Sequence, residues 1–431
     1  MAFGLSMGCG DDSTPSGGGD SSGGGISLPG SAGGNVDDTG PVLDVANGGA
    51  ATADGGDCPG GGGGVAGDEY SLIWIANSPE GTVSKIDTRT GDELARYWTG
   101  PAQGQDDDPS RTSVNLAGDV AVTNRGSGIM KIAGHIDSCI DRNGNGTIET
   151  STGPLDVLPY DTDECVLWYQ ELPGDGNHQH GPRPTAWDAG ENNTVCNVAD
   201  ERVWVGWWDY EANIGRFRRL AGQNGEILDE VAVPEWDRTG TSNYGPYGGA
   251  VDAQGNFWVI GLRANLVRID GVTLDVERWE IPPGGDPYGL ALDANGHPWT
   301  AGWNGVVLHF DPDSEQFDEI DLDGRRMRGL QVDRNGQAWI AANNPCGAIQ
   351  VDVASVEVVA DDIELPDCQG PVGVSIDVDG NVWLPDRNAD LAFKLDPNDY
   401  STTTTLGLVG PYTYSDMTGA GLGLVVNPPA G

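Results

Sequence analysis

The stretch PYGLALDANGHPWTAGW, residues 287–303, recurs with nearly the same grammar as PYGGAVDAQGNFWVIGL at 246–262 and PVGVSIDVDGNVWLPDR at 371–387. Aligned on P-x-G-x(3)-D-x-x-G-x-x-W, Pro246, Pro287 and Pro371 each precede a glycine by nine residues (Gly255, Gly296, Gly380). Met327 and Pro109 precede Gly336 and Gly118 by the same interval. Trp258, Trp299, Trp339 and Trp383 follow, spaced 41, 40 and 44 apart; Trp204 and Trp74 extend the series upstream, with Ala121 in the same place between them. A period of that length marks an array of small units, each of which buries its apolar face only against its neighbours.

Each unit continues with a second alternating segment: VSKID at 83–87, LVRID at 266–270, LHFD at 308–311, IQVD at 349–352 and FKLD at 393–396. Alternation of period two, interrupted by turn dipeptides, predicts consecutive antiparallel strands. Asn-Gly and Asp-Gly at 295–296, 335–336 and 379–380 predict tight two-residue hairpins with positive φ at both central residues. Four strands per forty residues make a propeller blade, its tryptophan on the second strand between neighbouring blades. Blades begin near 109, 182, 246, 287, 327 and 371, and a seventh set at 70–98 lacks its own first strand. The segment 412–425 is the expected replacement. The fold class is therefore all-β, a seven-bladed β-propeller closed by pairing of the C-terminal strand with the N-terminal blade, which removes exposed edges.

Sixty-six acidic against 22 basic residues give a formal charge of −44. A surface so negative repels phosphate backbones, so nucleic acid is excluded as a partner. No run approaches the roughly 18 apolar residues that span a bilayer. Residues 1–9, MAFGLSMGC, are similar to the end of a bacterial lipoprotein signal, which makes Cys9 the expected lipidation site. Residues 10–67 hold no Lys or Arg and are dominated by Gly, Ser and Asp. They read as a disordered tether, with a reach on the order of 40 Å. The propeller is expected over 68–426, with an insertion at 134–165 and a tail at 427–431. A monomer in the cell envelope, outer-membrane-anchored or secreted, touching membrane only through a lipid, is the expected setting. The other six cysteines form an even set without CxxC spacing, which favours disulfides over zinc. Blade topology proposes Cys346–Cys368 and Cys139–Cys165, leaving Cys58 with Cys196.

The repeated unit, nearest in PYGLALDANGHPW (287–299) and PVGVSIDVDGNVW (371–383), resembles the streptogramin B (virginiamycin B) lyase family of seven-bladed propellers. The resemblance covers about residues 70–425 and is densest from 246 to 396. It implies the fold and, as an activity, metal-dependent opening of a cyclic peptide lactone by elimination. The family's histidine belongs in PHG-type motifs and its acid after the blade tryptophan. The matching positions here are Ser110, Arg183, Tyr247, Tyr288, Arg328 and Val372, and only Asp386 offers a carboxylate after a tryptophan. His297 and His309 stand at neither family position.

DRNGNGTIETST (141–152) is the most chemical stretch. Asp141, Asn143, Asn145, Thr147 and Glu149 have the spacing with which a calcium loop wraps its ion, although position twelve is Thr152; Asp163 or Glu164 could complete the shell. A turn that needs no ion is the competing reading. The recurring DAQG, DANG, DRNG and DVDG strings read as hairpins. HQHGPRP (178–184) brings His180 and a possible metal pair beside Arg183. Arg183, Arg328, Tyr247, Tyr288 and Tyr414 are expected around the channel, either as a pocket for an anionic or aromatic ligand or as a plug. WVGWWDY (204–210) suggests sugar stacking or core packing. The composite expectation is an exported, tethered propeller that binds an unidentified small molecule, protein or peptide, with Ca2+ as the candidate stabilising ion. The alternative is a lyase-like C–O lyase on a cyclic peptide or lactone.

Overall fold

The computed structural model describes residues 71–190, 200–236, 244–262 and 264–429. The expectations for the leader, Cys9, the tether, Cys58 and Cys196 fall outside the described residues. Seven antiparallel sheets follow one another in chain order, six of four strands and one of three. Blade 1 holds Leu72–Asn77, Thr82–Asp87 and Glu93–Trp98. Blades 2 to 7 have first strands at Pro109–Val114, Thr185–Asp188, Pro246–Val251, Pro287–Leu292, Arg326–Val332 and Ser375–Ile376. Among the described residues no helix is long and apolar enough to cross a membrane.

Closure runs through the C-terminus. Pro411 forms an antiparallel bridge with Asn77. The Tyr412 N–H donates to the Ala76 carbonyl at 2.9 Å, and the Trp74 N–H donates to that of Met417 at 2.9 Å. The segment 411–417 thus stands where the other blades have their first strand. A strand over the whole of 412–425 does not form. The half-buried Asp416 carboxylate gathers the N–H groups of Gly419 and Leu422, at 2.8 and 3.1 Å, and turns the chain into the helix Ala420–Val426. That helix buries Leu422, Leu424 and Val425 and touches the first strands of blades 4, 5 and 7.

The repeated aspartate has a structural task. In blade 7, Asp377 Oδ1 accepts the N–H of Asp379 and Asn381, and Oδ2 accepts the indole N–H of Trp383 at 2.9 Å. Asp252–Trp258 and Asp333–Trp339 repeat the arrangement at 2.8 and 2.9 Å. Only the glycine of each turn has positive φ: Gly255 +82°, Gly296 +81°, Gly336 +72° and Gly380 +86°. The turns are therefore three-residue loops with one left-handed glycine rather than two-residue loops with two. Where Ala121 replaces the tryptophan, Asn115 replaces the aspartate: its Oδ1 still accepts the N–H groups of Ala117 and Asp119, and its Nδ2 donates to Glu201 at 2.6 Å.

The residue paired with the tryptophan position on each third strand is the second regular device. Trp74 pairs with Lys85, Ala121 with Lys131, Trp204 with Arg219, Trp258 with Arg268 and Trp383 with Lys394. Blades 5 and 6 have His309 and Gln350 there. The bases lie over indole rings, Lys85 at 5.7 Å from Trp74 and Lys394 at 6.0 Å from Trp383. Lys131, lacking an indole in its own blade, lies 4.9 Å over Trp187 of blade 3. All three lysines of the chain occupy this one position.

The cysteines at 139 and 165 are bonded and close the base of the blade 2 connection; those at 346 and 368 are bonded across the link from blade 6 to blade 7. Both pairings match the topological expectation.

Candidate functional site

The residue after each motif proline, or after Met327 where blade 6 lacks the proline, is carried to the propeller axis, because the first strands are innermost and begin there. These side chains are Ser110, Arg183, Tyr247, Tyr288, Arg328, Val372 and, in the closing blade, Tyr412, all of them buried. The seventh member of the ring is thus Tyr412, with Tyr414 two residues further along the segment. Crowding at the axis explains the motif glycine: a Cβ on Gly373 would lie 1.9 Å from the Thr413 carbonyl oxygen, and one on Gly329 would lie 2.8 Å from the Gly373 Cα.

Three phenols converge on a fourth. The Tyr412 hydroxyl lies 2.8 Å from that of Tyr288, 3.2 Å from that of Tyr247 and 3.3 Å from that of Tyr414. Burial pushes the Tyr247, Tyr288 and Tyr414 hydroxyls above the ordinary tyrosine range. Burial acts the same way on Tyr412, but the fields of Arg328, Arg125 and Arg111 outweigh it and bring the group down to about 8. Titratable neighbours driven apart in this way are a mark of functional sites.

Six arginines surround these rings. Arg111 lies 3.1 Å from the Tyr414 ring centre and 4.8 Å from that of Tyr247. Arg183 lies 5.1 and 5.3 Å from Tyr244 and Tyr247. Arg328 lies 5.4 Å from Tyr288 and 5.0 Å from Trp303, which Arg326 also faces. Arg125 and Arg387 lie over Tyr412 at 5.1 and 5.2 Å. Arg125 is ion-paired with Asp108. Arg183 is 1% exposed, and its Nη1 donates to the carbonyls of Gln179 and Gly181 at 3.0 and 3.5 Å. Its Nε and Nη2 are buried without a hydrogen-bond partner. Arg111 reaches only the carbonyls of Ser110 and Tyr247. Neither guanidinium meets a carboxylate among the described residues, in a chain that carries three acids for every base.

His180 goes elsewhere. Its Nδ1 lies 2.6 Å from Asp175 Oδ2, and its ring stacks on Tyr210 at 4.3 Å and meets Trp208 edge-on. Trp204, Trp207 and Trp208 are all buried. In the 141–152 loop, Asp141 Oδ1 accepts from Gly144 N–H at 2.7 Å and Asp141 Oδ2 from Gly146 N–H at 2.9 Å. Asn143 Oδ1 accepts from Asn145 N–H, and Asn145 Oδ1 from Thr147 N–H. The amide groups of Asn143 and Asn145 both donate to Glu149, at 3.0 and 3.2 Å. Glu164 stands across the loop and caps the N–H groups of Arg142 and Glu149. Asp163 instead binds Thr150 and Ser151. Asp386 accepts the N–H groups of Gln369 and Gly370, so the one acid after a blade tryptophan serves a turn.

A closed seven-bladed propeller with an arginine–tyrosine axis is the class this geometry defines. Its fold is shared by virginiamycin B lyase from Staphylococcus aureus, at 15% identity and TM-score 0.51 over 74% of this chain and 94% of that one. A streptogramin B lyase structure matches at 15% and 0.51 over 75% and 89%. The apo form of AztD from Citrobacter koseri matches at 15% and 0.50 over 79% and 96%. No protein-family model and no curated protein sequence matches the chain. At such identities the likeness is one of fold.

Proposed function

We propose that this protein is an exported, envelope-tethered binding propeller whose arginine-ringed axis takes a small anionic ligand, free or as the acidic part of a partner. The observation that carries the reading is Arg183: a buried cation with two N–H groups facing no acceptor is costly until an acceptor arrives. Five further arginines make this end of the axis positive within a strongly acidic molecule, which concentrates anions there. The tyrosine faces suit a planar or aromatic acid. Disulfides support an oxidising compartment. A structural Ca2+ at Asp141, Asn143, Asn145, Thr147 and Glu149 belongs to the same proposal, supported by the alternate-residue spacing of these groups.

Thermal-shift titration with small carboxylates, phosphates and sulfate tests it. A concentration-dependent rise in Tm is expected for the wild type and not for Arg183→Met, which keeps the volume and removes the donors. Equal responses in the two proteins would sink the reading.

One observation favours a second reading. With its pKa near 8, the Tyr412 hydroxyl would serve as a general base at neutral to mildly alkaline pH, as an elimination on a cyclic peptide or lactone requires. Turnover of such substrates that disappears in Tyr412→Phe supports it; a wild type without turnover removes it.

A further inference from the structure

Blade 5 departs from its neighbours twice, and both departures lead to one carboxylate. In blades 4, 6 and 7 the residue four after the hairpin aspartate is Asn256, Gln337 or Asn381, and the residue opposite the tryptophan is Arg268, Gln350 or Lys394. In blade 5 these positions are His297 and His309, two of only five histidines in the chain. His309 Nε2 lies 3.9 Å from Asp293 Oδ2, too far for a hydrogen bond. That nitrogen is buried and has no hydrogen-bond partner. The other ring nitrogen, Nδ1, lies 3.2 Å from Asp318 Oδ2. The His297 and His309 rings stack at 5.5 Å, and one donor atom from each of His297, His309 and Asp293 lies within 4.8 Å of the other two.

We infer that Asp293, His297 and His309 bind a divalent transition-metal cation of the zinc type. Two imidazoles and a carboxylate are the donor set such an ion prefers, and three protein ligands leave a fourth position for water. Asp318 on Nδ1 supplies the second contact that fixes a ligating histidine's tautomer and turns Nε2 toward the ion. Asp293 is prepared in the same way: Oδ1 is held by the N–H groups of Asn295 and His297 at 2.8 and 3.0 Å, which aims Oδ2 at His309. Oδ2 is also more loosely held than in the other blades, with the Trp299 indole N–H at 3.3 Å against 2.8 to 2.9 Å elsewhere. Tetrahedral zinc places its donors roughly 3.3 Å apart, so closing 3.9 Å asks for about half an ångström of side-chain movement. Asp293 is 2% exposed, and a cation beside it would offset the desolvation of its carboxylate. In blade 7 Lys394 stands 3.5 Å from Asp377; in blade 5 the metal takes that place. It ties the 293–297 hairpin to the third strand, at the opposite end of the first strands from the arginine ring.

The test is equilibrium binding of Zn2+ to the chelator-stripped full chain in a Cys9→Ser background, with calcium in excess to fill oxygen-only sites. His309→Gln reproduces the residue that blade 6 already accommodates, so it should fold, which circular dichroism checks. Expected is one zinc per chain in the wild type, weakened at least tenfold in His309→Gln and in His297→Ala, and unchanged in a His178→Ala, His180→Ala double variant. Zinc should also raise the wild-type Tm and leave that of His309→Gln unmoved. No binding in the wild type, or unchanged binding in either the His297 or the His309 variant, overturns the assignment.

Discussion

The hydroxyls of Tyr288 and Tyr412 are 2.8 Å apart on the propeller axis, yet burial drives the first up while three arginines draw the second down to about 8. Spectroscopic titration at the phenolate absorption band should therefore reveal a single tyrosine ionising about two pH units before the rest. Tyr412→Phe should delete that step, and Arg328→Gln should move it upward. A tyrosine titration confined to pH 10 and above would contradict the arginine field.

The same group links stability to pH. Its folded pKa lies below the unfolded value near 10, so its contribution is complete above pH 10 and is lost as pH falls through 8. Relative to Tyr412→Phe, the wild type should gain stability as pH rises from 8 to 10. Denaturant midpoints across that window measure it.

Asp377 and Asp379 are neighbours with opposite expected costs. Asp377 is buried and holds two turn amides and the Trp383 indole, so Asp377→Ala should cost about 2–4 kcal/mol. Asp379 is exposed and ion-paired with Arg89, so Asp379→Ala should cost under about 1 kcal/mol. Urea unfolding of both variants checks the contrast.

Gly373 bears on ring closure. A methyl there would press on the Thr413 carbonyl of the closing segment, so Gly373→Ala should destabilise by about 1–3 kcal/mol. Amide exchange should quicken first around 411–417 if that segment is the weak point; uniform quickening would show that the ring opens elsewhere.

If the 141–149 loop holds calcium, millimolar Ca2+ should raise the wild-type Tm and chelation should lower it, with both effects absent in Asp141→Ala. Calorimetric scans of the two proteins decide.

The prolines, hairpin glycines and tryptophans made the propeller legible, because each answers to a local geometric demand repeated in every blade. The axial site was half legible. Arg183, Tyr247 and Tyr288 follow motif prolines and Arg328 follows Met327 at the same position, whereas Tyr412 follows Pro411 in a unit whose second strand begins at residue 72, at the other end of the chain. Closure splits that repeat, so its pattern breaks in sequence; the signal left was the dipeptide Pro411-Tyr412, matching 246–247 and 287–288. Arg111 stands where the motif has glycine, a departure that marks it. His180 sits near Arg183 in sequence but turns to Tyr210, since proximity along a loop does not set side-chain direction. His309 gains meaning only when third strands are aligned through their pairing with the tryptophans.

That alignment also bears on the molecule's outer chemistry. Lys85, Lys131 and Lys394 all lie against blade seams and none is exposed. Lys131 is buried while Lys85 and Lys394 are half-buried, so acylating reagents should reach Lys131 chiefly when a blade swings loose and the other two sooner. Mass-resolved labelling at Lys131 would time the opening of its seam.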